Sequence, residues 1–181
     1  MPTKAVTTIM KNIKLLTAIL TVFFAMSVST TAQKIVFTSL EGNAIDVEAQ
    51  KNKVVVMAIG ASWLPLSNDQ AAAINKLSKK YDGRDDVVIY FIATDSASSK
   101  SKNYASNDDI QKFAKRNKLN ITILRDDDGV QAVKKFKLDQ LPAFIILDKQ
   151  GKPDGNPIIG VDPFGEADAA AILSKRIDKL L

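Results

Sequence analysis

Ala61-Ser62-Trp63-Leu64-Pro65-Leu66-Ser67 is the stretch on which the fold of this chain is read. It follows Val54-Val55-Val56-Met57-Ala58-Ile59, a continuous apolar run of the kind found in a strand covered on both faces. It opens a segment, Leu66 to Tyr81, in which Ala73 or Ile74, Leu77 and Tyr81 recur at helical spacing. Lys76, Lys79 and Lys80 fall on the solvent side of that helix, and lysines in its last turn suit the helix dipole. The seven residues are therefore the passage from a central buried strand into a helix.

Outward from this unit the alternation continues. Lys34 to Thr38 reads as a short strand, Glu41-Gly42-Asn43-Ala44 as a turn and Ile45 to Val47 as the returning strand. Val87 to Ala93 is a second buried strand. Ser106-Asn107-Asp108-Asp109 has the form of a capping box, with Ser106 capping and Asp109 reaching back. The helix it opens buries Ile110, Phe113 and Ala114. Ile121 to Leu124 is a short strand, and Asp128 is read as the cap of a small helix that buries Val130, Val133 and Phe136. Phe144 to Leu147 is a strand, Asp148-Lys149-Gln150-Gly151 its turn and Ile158 to Val161 its hairpin partner. A last helix, about Gly165 to Leu181, buries Ala170, Leu173, Ile177 and Leu180. Strands alternating with helices predict an α/β layered fold, with no internal repeat and no second domain.

The 181 residues are enough for one domain with a substantial core, and 46% hydrophobic with 25% charged residues is a globular composition. The first 32 residues read differently. Lys4, Lys11 and Lys14 precede an apolar run from Leu15 to Val28, and Thr30-Thr31-Ala32 offers a small-residue cleavage site. This is the layout of a secretory signal peptide, and it predicts a periplasmic or secreted protein. The alternative is an uncleaved anchor, the one route to the membrane; the run is short against the roughly 20 residues a span requires. No cysteine follows the run, so lipoprotein processing is excluded. Without the three leading lysines, 22 basic face 20 acidic residues, a net charge of +2. The pI near 9.3 thus partly reflects the leader and does not argue for a nucleic-acid partner. With no histidine and no cysteine, zinc, haem and iron–sulfur centres lack their ordinary ligands, so no cofactor is expected.

The segment Gln140-Leu141-Pro142-Ala143-Phe144-Ile145-Ile146-Leu147-Asp148, with Asp148-Lys149-Gln150-Gly151-Lys152 closing it, completes an ordered set with Glu41-Gly42, Lys53-Val54-Val55-Val56 and Trp63-Leu64-Pro65. Together these resemble thioredoxin-like proteins of the TlpA and ResA (redoxin) type, from about residue 34 to 181. The resemblance implies a thioredoxin-like domain over residues 33–181, a central mixed β-sheet flanked by helices, and a cis peptide bond before Pro142. The family's loop carries cysteines where this chain has Leu64 and Ser67. Thiol–disulfide exchange needs a thiolate to attack a disulfide sulfur, which neither side chain can do. Other family features are missing too. Ala58 stands where many relatives have a buried Asp or Asn, and Gln70 and Ala72 stand where a Glu and a helix-kinking Pro are often seen. This is a degenerate member, not an enzyme of the family's kind.

The expected site is the former active-site and cis-proline face: Trp63, Leu64, Pro65, Leu66, Ser67, Leu141 and Pro142. Trp63, Leu64, Pro65, Leu66 and Leu141 can form an apolar contact patch, unless Leu64 and Leu66 turn inward. The backbone beside Pro142 lets relatives hold an extended peptide by strand addition. Ser67 as a nucleophile would need a base, and the chain has no histidine. The Trp63–Asn68 helix start is a poor anion site, since Pro65 has no N–H and Asp69 adds negative charge. Asp126-Asp127-Asp128-Gly129 lacks the spaced oxygens and distal Glu of a calcium loop, so it is read as a turn and cap. Asp95 to Asn107 is a long polar loop, near the same site if the Val54–Ile59 and Val87–Ala93 strands are adjacent, and a recognition arm or filler. The reading is an exported monomer acting as a binding or accessory module on an extended peptide or envelope protein. Two alternatives stand beside it: an accessory to a cysteine-bearing partner in a thiol–disulfide or antioxidant pathway, and a structural domain contacting the envelope.

Overall fold

The computed structural model describes residues 34–161 and 168–181. The leader over residues 1–32 and the start of the last helix near Gly165 lie outside the described residues.

Seven strands form one mixed sheet: β1 Val36–Ser39, β2 Ala44–Asp46, β3 Val54–Gly60, β4 Val87–Ala93, β5 Thr122–Arg125, β6 Ala143–Leu147 and β7 Ile158–Ile159, ordered β2-β1-β5-β4-β3-β6-β7. β3, β4 and β5 are parallel, and the strands outside them, β1 with β2 and β6 with β7, are antiparallel. The helices are α1 Leu66–Lys80, α2 Asn107–Arg116, α3 Val130–Phe136 and α4 Ala169–Leu180. This is the thioredoxin-like arrangement the sequence predicts. Among the described residues no helix is long and apolar enough to cross a membrane.

Every residue of β3 is buried because the two faces of the sheet are both covered. Successive side chains of a strand point to opposite faces. Val54, Val56 and Ala58 pack under α1, α2 and α4 with Ile74, Leu77, Phe113, Leu173 and Ile177. Val55, Met57 and Ile59 pack on the other side with Phe37, Ala132 and Phe136. The continuous apolar run thus serves two cores at once.

Ser106 and Asp109 form the expected capping box: the Asp109 N–H donates to Ser106 Oγ at 3.2 Å, and the Ser106 N–H donates to Asp109 Oδ2 at 3.2 Å. The expectation at Asp128 is corrected. Asp128 sits in the left-handed region (φ 57°) and does not cap α3. The buried Asp126 carboxylate does so, accepting from the Gln131 N–H at 3.0 Å and the Ala132 N–H at 2.7 Å. A 3-10 turn, Asp127–Gly129, leads directly into α3. Of the residues expected to be buried on this helix, Phe136 is, Val133 is half-buried and Val130 is 63% exposed, while Ala132 joins Phe136 in the core.

Four surface carboxyls, three exposed and Asp86 half-buried, lie below their ordinary range: Asp86 chiefly through Arg84, Asp109 through the Ser106 hydroxyl, Asp168 through Lys76 and Asp178 through Lys80. Asp126 is pushed up by burial. A depressed carboxyl contributes stability above its unfolded pKa, and that contribution is lost as pH falls through the folded value. Asp126 works the other way, favouring the folded state as it protonates. The two effects act in different windows, Asp126 gaining stability above about pH 4 and the four depressed groups losing it below, so the urea midpoint is expected not to fall between neutral pH and about 4 and to fall below it. A midpoint that rises on acidification below that point would contradict this assignment.

Candidate functional site

The carboxyl ends of β3, β4 and β5 emerge on one edge, and β6 begins there too, because Ile59 pairs with Ala143. Residues 60–63 and 140–142 therefore share one end of the β3–β6 pair. The Gly60 carbonyl accepts from the Thr94 N–H at 2.8 Å and from Thr94 Oγ1 at 3.0 Å, closing β3 against β4. Beyond it the chain turns into α1: the Leu64 N–H donates to the Ala61 carbonyl at 3.1 Å and the Ser67 N–H to the Leu64 carbonyl at 3.0 Å. Pro65 is already right-handed helical (φ −53°, ψ −45°), so its fixed φ and missing N–H suit the helix start.

The buried Asp95 carboxylate holds this turn. It accepts the Ser62 N–H at 3.1 and 3.0 Å and the Ser62 hydroxyl at 2.6 Å. Bonds to a charged acceptor are the stronger class.

Leu141–Pro142 is a cis peptide. Pro142 is buried, and its carbonyl accepts the Gly160 N–H at 2.7 Å, which joins it to the β6–β7 hairpin. Leu141 is half-buried against the core that Val55, Met57 and Ile59 serve. Among the described residues neither its N–H nor its carbonyl takes a main-chain partner. Around this edge Trp63 is 51% and Leu66 37% exposed, Pro65 is exposed and Leu64 half-buried. The seven expected site residues thus divide. Trp63, Leu64, Pro65, Leu66 and Leu141 offer apolar surface, while Ser67 and Pro142 are buried beneath it. Leu66 does not turn inward, and Leu64 does so only partly.

Ser67 is fully buried, and its Oγ accepts the Ala61 N–H at 3.2 Å. Its hydroxyl is a fastening of the loop. Ala58 is packed in the core under α1, α2 and α4. Among the described residues no group of three or more acidic side chains is arranged to hold a metal ion.

The 95–107 loop closes on itself through Ser96 N–H to the Asn103 carbonyl at 2.9 Å and Ala105 N–H to the Ser96 carbonyl at 3.1 Å. Arg125 pins it from β5, donating to the carbonyls of Ala105 at 3.0 Å and Asp95 at 3.3 Å, to Asn107 Oδ1 at 2.9 Å and to Asp127 Oδ1 at 3.0 Å. Tyr104, Asn107, Arg125, Asp126 and Val130 are among the walls of a groove of about 590 Å³ beside it.

Sequence reasoning missed Asp95 and Arg125, and it read Gln70 only as a loss. One signal was available: a polar residue at or just past the end of a buried strand, as Asp95 stands two residues beyond Ala93 and Arg125 closes the next strand, lies at the ligand-bearing edge of a parallel sheet.

The AhpC/TSA family model matches residues 28–152. A comparison with curated proteins returned no match. Among solved structures, a secreted Mycobacterium tuberculosis disulfide oxidoreductase homologous to Escherichia coli DsbE is 24% identical, over 81% of this chain and 96% of that one, with a TM-score of 0.61. A thiol:disulfide interchange protein DsbE from Chlorobium tepidum is 17% identical over 82% and 94%, with a TM-score of 0.65. A thiol-disulfide oxidoreductase from Bacteroides fragilis is 20% identical over 83% and 98%, with a TM-score of 0.63. At these identities the likeness is one of fold, and the fold is that of DsbE- and TlpA-like redoxins without either active-site cysteine.

Proposed function

We propose that this chain, which belongs to the AhpC/TSA family, uses its former redox face to bind an extended peptide segment of a partner protein. The chain has no cysteine and hence no thiol–disulfide chemistry of its own. The observation that carries the reading is the backbone of Leu141 at the cis-proline turn, which takes no main-chain partner among the described residues and is set at the same edge as exposed Trp63 and Leu66. An extended peptide would add there as a strand, its main chain paired with Leu141 and its apolar side chains against the indole. No step of this needs sulfur. Residues 1–32 act in this proposal as a signal peptide, so the partner is periplasmic or extracellular, and the protein works as a monomer.

The test is a photo-crosslinking residue at Leu66 in the native cell, with exposed Lys175 on α4 as control. The expected result is a discrete partner captured from Leu66 alone. Equal products from both positions, or none from Leu66, would overturn the reading. The solved structures of this fold described as disulfide oxidoreductases favour a cysteine-bearing protein as that partner. A cell-wall or envelope structural protein captured instead would favour the envelope-contacting role.

A further inference from the structure

Ser67 and Gln70 lie three residues apart on α1, hence on one helix face, and both are fully buried. A buried polar pair on an otherwise apolar helix face has to justify its desolvation through hydrogen bonds. Ser67 Oγ accepts the N–H of Ala61, where the Trp63 turn leaves the sheet. Gln70 Nε2 donates both its hydrogens, to the Ile59 carbonyl at 3.2 Å and to the Ala143 carbonyl at 2.9 Å. Those two residues form the pair nearest the site in the β3–β6 ladder, and Ala143 directly follows the cis Leu141–Pro142 turn. The amide of Gln70 therefore clips the two strands together where their own ladder ends.

Two details show that these donors are what the position requires. Gln70 Oε1 has no hydrogen-bond partner among the described residues, although it is buried. Flipping the amide would aim that oxygen at two carbonyls, so the orphan is the cost of placing both donors. Gly60 makes the room. A Cβ there would overlap Gln70 Oε1 and stand 2.8 Å from Ser67 Oγ.

We propose that Ser67 and Gln70 are the positioning residues of the binding face: together they fasten the Trp63 turn and the cis-proline turn to one helix, so the two halves of the site are held in fixed relation. The functional half of this proposal rests on the peptide-binding reading; the structural half does not. Ser67 stands where the family's second cysteine would be, and Gln70 where a carboxylate is often seen. The substituted positions have become the fastenings of the face.

The experiment is amide hydrogen exchange on the full chain, with Leu66 capture as a second readout, for Ser67→Ala, Gln70→Leu and Gln70→Glu. Gln70→Glu keeps the shape but has no donor when ionised. The Ala61 N–H reports the Trp63 turn, and the Gly160 N–H, bonded to the Pro142 carbonyl, reports the cis-proline turn. Tyr81 and Leu138 N–H, in distant helix ends, report global opening. Ser67→Ala is expected to speed exchange at Ala61, and both Gln70 variants at Gly160, by tenfold or more, with Tyr81 and Leu138 changed less than twofold and capture reduced about tenfold. A uniform rise at all four amides would make the pair ordinary core polar residues and overturn the proposal. Unchanged exchange at Ala61 and Gly160, or loosened turns with undiminished capture, would overturn it as well. If the unsubstituted protein captures nothing, the peptide-binding reading fails and with it the functional half, while exchange still decides whether the pair fastens the two turns. Should Gln70→Glu fail to fold, Ser67→Ala, which removes a single hydroxyl, keeps the test open.

Discussion

Phe91→Ala is expected to lower stability by about 3–5 kcal/mol, the cost of emptying a fully buried phenylalanine site that cannot collapse. Phe91 lies on β4 in the core between the sheet and α1, α2 and α4, with no exposed surface. Its ring is 5.4 Å from that of Phe113, tilted by 38°, which adds an aromatic contact to the area buried. It also lies beneath the site: a Cβ on Gly60 would come within 3.3 Å of its ring. Removal therefore opens space under the fastened turn as well as between helix and sheet. For a domain of this size the melting temperature is expected to drop by roughly 6–20 °C. Urea and thermal unfolding check this, and a loss below about 1 kcal/mol would mean the core relaxes far more freely than its packing implies.

Gly151→Ala is expected to cost about 3 kcal/mol or more, through two separable terms. Gly151 adopts φ +78°, a left-handed conformation that costs a residue with a Cβ about 1 kcal/mol or somewhat more. A Cβ there would also overlap the main-chain carbonyl oxygen of Glu48, and a backbone atom cannot rotate aside as a side chain can. The turn is tied to that neighbouring segment by the Asn52 N–H, which donates to the Lys149 carbonyl at 3.1 Å, so both would have to move. Gly42→Ala separates the terms. Gly42 has φ +92° and nothing within 4 Å of a Cβ, so only the conformational cost, about 1 kcal/mol, is expected. Equal losses at the two glycines in urea unfolding would contradict the carbonyl clash.

The strands of the sheet were legible because their apolar runs have the right length and are bounded by turn residues; β4 was read to its end residues. The seven-residue stretch set where the candidate face lies, because a loop after a central parallel strand must emerge at the carboxyl edge. The error at Asp128 has a local cause. Three adjacent aspartates offer three equivalent caps, and only the 3-10 turn, which no periodicity announces, decides that Asp126 is used. Gln70 was legible as a residue type but not as a clip. Its partners are carbonyls 11 and 73 residues away, and a hydrogen bond to a distant main chain leaves no pattern in sequence. Asp95 escaped for the same reason, reaching Ser62 across 33 residues.

In the function proposed above, the cis-proline edge is a binding face. The most direct measurement scans one photo-crosslinking residue through Trp63, Leu66 and Leu141 on the face, Tyr104 on the neighbouring loop and Lys175 on α4, in the native cell. Capture of one partner from Trp63, Leu66 and Leu141, through a contiguous extended segment of that partner, is the predicted result. Capture from Tyr104 alone, or from Lys175 as strongly as from the face, would contradict it.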